Sequence, residues 1–105
     1  MKKIIETKNA NNPIGPYSQG VLSGNTLYTS GQIAIDPQSK KLVLENIQVE
    51  TLQVMKNLQA ILEEADMGFE NVIKTSIFIS NMDDFTVINS VYENYFQTKF
   101  PARET

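Results

Sequence analysis

Apolar residues recur along the chain with two rhythms, one of period two and one of period three to four, and together they predict seven elements. Lys2 to Thr7 is a short strand candidate, followed by the polar Lys8 to Asn12 and the turn-rich Pro13-Ile14-Gly15-Pro16. Tyr17 to Leu22 and Thr26 to Ile35 are β-prone runs joined by Ser23-Gly24-Asn25, a natural hairpin connection, and Asp36-Pro37 closes the second run. Asn46 is placed to cap a helix running to about Ala65. Leu52, Met55, Leu58 and Leu62 lie on one stripe of it, and Glu50, Gln53, Asn57 and Glu64 on the opposite one. Gly68 ends that helix, and Val72 to Ile79 alternates as a strand. Ile73, Thr75, Ile77 and Ile79 share one face, and Val72, Lys74, Ser76 and Phe78 the other. A second helix starts near Asp83, carries Phe85, Ile88, Tyr92 and Tyr95 at helical spacing, and finishes before Pro101; from Ala102 the pattern is extended again.

The order β-β-β-α-β-α-β predicts one domain over residues 1–105, of α+β class, with a mixed β-sheet covered by two helices on one face. Within the run from Thr26 to Ile33 the helices are expected to take the Leu27 and Ile33 side, leaving Tyr28, Ser30 and Gln32 facing away. With Val72 and Phe78 these residues make a semi-polar, aromatic sheet surface. In so small a protein such a surface predicts contact between subunits, and hence a homo-oligomer.

Composition narrows the chemistry. With 105 residues, 41% of them apolar or aromatic, there is room for one thin core. Nine basic and twelve acidic side chains give a net charge of -3, which offers no electrostatic footprint for a nucleic acid or an anionic membrane. The apolar pair Ile4-Ile5 is far too short for a signal peptide, and no run approaches the roughly 20 residues that span a bilayer, so the expected location is cytoplasmic. The chain has no Cys, His or Trp, and Arg103 is its only arginine. That list excludes disulfides, thiolate nucleophiles, Ser-His triads and the common transition-metal sites. GxGxxG, Walker, HExxH and CxxC patterns are absent as well, so neither a metal nor a cofactor is expected.

Carboxylates, hydroxyls, amides, lysines and one guanidinium remain. Arg103, just after Phe100-Pro101-Ala102, is the side chain best matched to a carboxylate, through two parallel charge-assisted hydrogen bonds; the alternatives are a solvated arginine or a structural salt bridge. Ser30-Gly31-Gln32 puts a glycine inside a strand, which suits either close approach of a ligand to the backbone or packing against an aromatic ring. Asn89 borders the apolar stripe of the second helix, where its amide either enters a pocket or bonds from helix to sheet. Tyr17, after Gly15-Pro16, either lines a cleft or packs at an edge. Glu63-Glu64 and Asp83-Asp84 are explained as a solvated face and as partners of a helix N-terminus.

Four stretches in register, Ile14-Gly15-Pro16-Tyr17-Ser18-Gln19-Gly20, Thr29-Ser30-Gly31-Gln32-Ile33, Asn71-Val72-Ile73-Lys74-Thr75 and Phe100-Pro101-Ala102-Arg103, resemble the reactive intermediate deaminase family, also called Rid or YjgF. The resemblance implies a chorismate-mutase-like α+β fold assembled as a homotrimer, with ligand pockets between subunits. It also implies hydrolysis of 2-imino acids or their enamine tautomers, such as 2-iminobutanoate and 2-iminopropanoate, to 2-keto acids and ammonia. On that resemblance Arg103 clamps the substrate carboxylate, Ser30 and Gly31 help hold the ligand, and Tyr17 and Asn89 line the pocket. The backbone carbonyl of Thr105 faces the substrate nitrogen or the attacking water. Family members continue past the Pro-Ala-Arg motif into a further strand with an acidic residue that orients the water; this sequence ends at Thr105, so that strand is expected to be missing. Two other functions remain open: a non-catalytic binder of small carboxylates, and an RNA-cleaving translation inhibitor, which the net charge disfavours.

Overall fold

A computed structural model describes the whole chain, Met1–Thr105. Its secondary structure is α+β, with strands β1 (Lys2–Ile5), β2 (Gly20–Ser23) and β3 (Thr26–Thr29), helix α1 (Ile47–Glu64), strand β4 (Lys74–Ser76), helix α2 (Phe85–Glu93) and strand β5 (Ala102–Glu104). Single 3-10 turns at Phe69–Asn71 and Met82–Asp84 lead into β4 and α2. The element order matches the prediction, but the strands are shorter than the apolar runs that announced them. Antiparallel and parallel pairing both occur, as a mixed sheet requires, in two separate ladders: β1-β2-β3 is antiparallel and β4-β5 parallel. The molecule measures 42 × 34 × 19 Å, and the thin dimension is that of one strand layer and one helix layer.

The β2-β3 hairpin closes through two residues, Gly24 and Asn25, with Ser23 paired to Thr26 and Gly24 in the left-handed region at φ 59°. Helix α1 begins where predicted, because the Asn46 side chain accepts the N–H of Val49 at 2.9 Å and satisfies one of the first-turn donors. Its end differs from expectation. Asp66, at φ 57°, takes the left-handed position, with Asp66 N–H donating to the Glu63 carbonyl and Met67 N–H to that of Leu62. Gly68 instead precedes the 3-10 turn in extended backbone.

Helix α1 buries more of its circumference than one apolar stripe. Met55 and Leu62 enter a cluster with Phe69, Val91 and Tyr92, through which α1 meets α2. Ile61, fully buried, packs instead with Ile5 and Ala10 beneath the antiparallel sheet. Gly20 makes that approach possible, since a Cβ there would stand 3.2 Å from Ile61 and 3.3 Å from Leu27. Asn57, one turn before Ile61, was expected on the polar stripe and is fully buried. Its amide nitrogen donates to the carbonyls of Ile33 (3.1 Å) and Ile35 (3.0 Å), and its oxygen accepts from Gln53 at 2.9 Å. The segment after β3 has left the ladder, and Asn57 supplies the partners that a neighbouring strand would otherwise give.

Leu27 faces the helices as predicted, whereas Ile33 is 58% exposed because the strand ends four residues earlier, at Thr29. Around β4 the alternation also starts late. Val72, expected outside, packs on the α1-α2 cluster, and Ile73, expected inside, is 81% exposed, because the 3-10 turn sets the chain direction until Lys74. Phe78 and Tyr28 are exposed, as expected. Replacing Asn57 with Ala removes the donor from two half-buried carbonyls, and should cost about 1–3 kcal/mol in urea unfolding with little change in m-value.

Candidate functional site

The predicted site residues fall into two groups. Tyr17, Ser30 and Gly31 come together at one end of the antiparallel sheet. Tyr17 lies in the turn before β2 rather than in a strand; its N–H donates to the Gly15 carbonyl (2.8 Å) and its hydroxyl accepts from Ile14 N–H (3.3 Å). The half-exposed ring borders a cleft of about 40 Å³ whose other walls include Asn11, Gln19, Gly31, Gln32 and Ile33. A Cβ at Gly31 would meet nothing within 4 Å, so no aromatic ring of the same chain packs on it. Ser30 Oγ donates to the Ser18 carbonyl at 2.6 Å and its N–H to the Gln19 carbonyl at 2.9 Å, so Ser30 ties the two walls together.

Gln19, which the spacing did not single out, organises that wall. It is 2% exposed, accepts Thr7 N–H at 2.7 Å, and donates to the carbonyls of Thr7, Ala10 and Asn11. One buried amide thus curls residues 7–11 around itself and fixes the rim of the cleft.

The second group lies on α2 and the parallel ladder. Arg103 pairs with Thr75 across β4-β5, and its side chain turns toward α2. The guanidinium carbon sits 5.0 Å from the ring centroid of Tyr92 and 5.4 Å from that of Phe85. Arg103 is half-buried, and the chain's one ion pair joins Lys74 to Glu104, so Arg103 makes no salt bridge within the chain. Asn89 lies four residues after Phe85 and three before Tyr92, on the same helix face. Its Oδ1 is buried and has no hydrogen-bond partner, so the helix-to-sheet bond is not made through that atom. Thr105, exposed, follows directly on β5.

Arg103, Asn89 and Thr105 are not among the residues lining the Tyr17 cleft. A wider depression of about 530 Å³, bounded by Lys8, Asn12, Pro37 and Lys40, contains none of the predicted residues. Phe85 and Tyr92 recur at helical spacing with Ile88, and that spacing alone names no contact with Arg103. Two aromatic residues seven apart, with Asn89 between them on one face, were the signal that the helix presents rings to a neighbour.

This fold and these motifs define a class: the chain belongs to the YjgF/RutC family, the reactive intermediate deaminases, and the family model described as Endoribonuclease L-PSP matches residues 7–105. A human protein named 2-iminobutanoate/2-iminopropanoate deaminase is 43% identical over 103 residues, covering 98% of this chain and 75% of the relative. A Rid-family protein from Yersinia pestis, YyfA, described as of unknown function, superposes with a TM-score of 0.97 at 45% identity, over 100% of this chain and 84% of the other. TdcF of E. coli, solved with bound serine, superposes with a TM-score of 0.92 at 38% identity, over 97% and 82%. No helix is long and apolar enough to cross a membrane.

On the outer face of the parallel ladder, Glu104 accepts from Ser76 Oγ at 2.8 Å and from Lys74 Nζ at 3.3 Å. The Ser76 hydrogen bond, and then the Lys74 bond and charge, hold its carboxyl below the usual glutamate range. A carboxyl lowered in the folded state contributes stability that is present above the unfolded pKa and is lost as pH falls through the folded one. In a side-chain ¹³C titration Glu104 should therefore have a midpoint below the ordinary glutamate value, and Ser76→Ala should move it back up.

Proposed function

We propose that the chain is a hydrolytic deaminase of short 2-imino acids, acting in the cytoplasm as a homotrimer whose pockets lie between subunits. The observation that carries this reading is Arg103, a half-buried guanidinium resting on two aromatic rings with no protein carboxylate to neutralise it. A small carboxylate supplies the missing counter-charge with matching geometry. The 43% identity to the human protein named for 2-iminobutanoate and 2-iminopropanoate supports the reaction class. The serine in the E. coli relative carries the same adjacent carboxylate and nitrogen.

In the reaction, water adds to C2 of the iminium, the C–N bond of the resulting carbinolamine breaks, and R–CH2–C(=NH2⁺)–COO⁻ plus H2O becomes R–CH2–CO–COO⁻ plus NH4⁺. Arg103 binds the carboxylate. Asn89 Oδ1, an acceptor without a partner, takes an N–H of the substrate, and the Thr105 carbonyl faces the nitrogen or the water. Tyr17, Ser30 and Gly31 close the pocket from a neighbouring copy. Arg103 and Asn89 do not line the Tyr17 cleft, and that cleft, at about 40 Å³, is far below the ~300–1,000 Å³ of ordinary ligand pockets; both facts support that division. Exposed Tyr28, Ile73 and Phe78 provide apolar area for the contact. The iminium is already electrophilic, so positioning it beside one water meets most of the catalytic need, and neither a metal nor a cofactor is required of the reading. RNA cleavage, which the description of the family model names, finds no support in a chain of net charge -3 without His.

With 2-iminobutanoate generated in situ by threonine dehydratase, the protein should accelerate release of 2-ketobutyrate, and Arg103→Ala should lower kcat/KM by about 10²- to 10⁴-fold, from two charge-assisted bonds worth ~1.5–3 kcal/mol each. Full activity in Arg103→Ala ends the proposal, and calorimetric binding of 2-ketobutyrate without turnover would replace it by a carboxylate-binding role. In sedimentation equilibrium the expected mass is three times the 11.8 kDa of one chain. A monomer that retained activity would refute the shared pocket.

A further inference from the structure

Arginines that bind anions are commonly oriented by protein carboxylates or carbonyls, which occupy guanidinium donors and cancel part of the charge. Arg103 is held differently, by the rings of Tyr92 and Phe85 two turns apart on α2, with its centroid distances of 5.0 and 5.4 Å. Tyr92 is itself fixed. It is 7% exposed, its hydroxyl shares a 2.8 Å hydrogen bond with Thr75 Oγ1, and its ring lies 4.6 Å from that of Phe96. Thr75 is also the residue paired with Arg103 across β4-β5, so one strand position braces the ring and sets the backbone of the arginine that lies on it. A ring quadrupole attracts the cation without taking an N–H and without neutralising it.

We propose that Phe85 and the Thr75-braced Tyr92 are positioning residues for Arg103: an aromatic seat that orders the guanidinium while leaving all its donors and its charge for a carboxylate ligand. This rests on the assignment of Arg103 as the carboxylate-binding group. The ligand class follows from the seat, because a guanidinium oriented without hydrogen bonds keeps the planar fork that takes a carboxylate through two bonds at once.

Arg103 is the only arginine, so the arginine Nε–H signal in a ¹H–¹⁵N spectrum belongs to it without further assignment. In the wild-type protein that signal should be displaced by the ring currents of Tyr92 and Phe85. Phe85→Leu should return it toward the position of free arginine and weaken binding of 2-ketobutyrate, the probe, about three- to tenfold, while urea unfolding stays cooperative. Phe85→Tyr keeps a ring and should keep both signal and affinity. Tyr92→Phe and Thr75→Val each remove the brace and should move the signal in the same sense, with the double variant no worse than either single one. An Nε–H signal that does not respond to Phe85→Leu overturns the seat, whatever the ligand does. A signal that moves while 2-ketobutyrate binds Phe85→Leu as tightly as wild type overturns the positioning role. Absence of 2-ketobutyrate binding to the wild-type protein, with the signal still ring-shifted, overturns the carboxylate assignment and the positioning role together, and is distinguishable from the first outcome by the spectrum alone.

Discussion

The contact between Ile61 and Gly20 governs the arrangement of the molecule. Because Gly20 has no side chain, α1 comes down onto the antiparallel sheet closely enough for Ile61 to be fully buried. One turn away, that closeness brings the Asn57 amide within reach of the Ile33 and Ile35 carbonyls. The chain after β3 can therefore leave the ladder without stranding its backbone groups, and Gly31 is left open beside the Tyr17 cleft. The other side of the same helix carries Met55 and Leu62 into the cluster that holds α2, and α2 presents the rings that seat Arg103. A larger residue at position 20 would lift α1 and disturb both groups of candidate residues, although it touches neither.

What the sequence disclosed divides along the range of the interaction. Helix α1 and its Asn46 cap were legible, because periodicity and a side chain bonding three residues ahead are local properties. So was the return to extended backbone at Ala102, which puts Arg103 on strand β5. Asn57 was misplaced because its polarity pointed to solvent, while its partners lie 22 and 24 residues away on a segment that looked like continuing strand. Gln19 escaped for the same reason, serving backbone groups 8 to 12 residues earlier. The exchange of Val72 and Ile73 between faces came from the 3-10 turn before β4: strand alternation has meaning only where pairing has begun.

Strand β5 shows two ways of managing charge on successive residues. Glu104 points outward, where Lys74 supplies a counter-charge and Ser76 a hydrogen bond, on a surface where water already screens it. Arg103 points toward α2, where exposure is lower, and no carboxylate meets it. Placing a cation there costs desolvation, and the Tyr92 and Phe85 faces offset part of that cost without cancelling the charge. Glu104 thus stabilises the ladder, while Arg103 keeps its electrostatic field available. The strand's alternation of sides is what keeps the two from pairing with each other.

The thinness of the molecule bears on catalysis. At 19 Å it has one helix layer and one strand layer, and only 13 of its 105 residues are buried, so a single copy has little interior in which to enclose a substrate. The groups assigned to the pocket accordingly lie at separate places on its surface, Tyr17 with Gly31 and Arg103 with Asn89. On the proposed reading, association does two things with one surface: it covers exposed Ile73 and Phe78, and it brings the separated groups around one ligand. An iminium needs no strong nucleophile, but it needs its carboxylate held and its nitrogen met by an acceptor. A guanidinium with free donors and an amide oxygen with no partner suit those two requirements, which is why a chain without His or Cys can be assigned this chemistry.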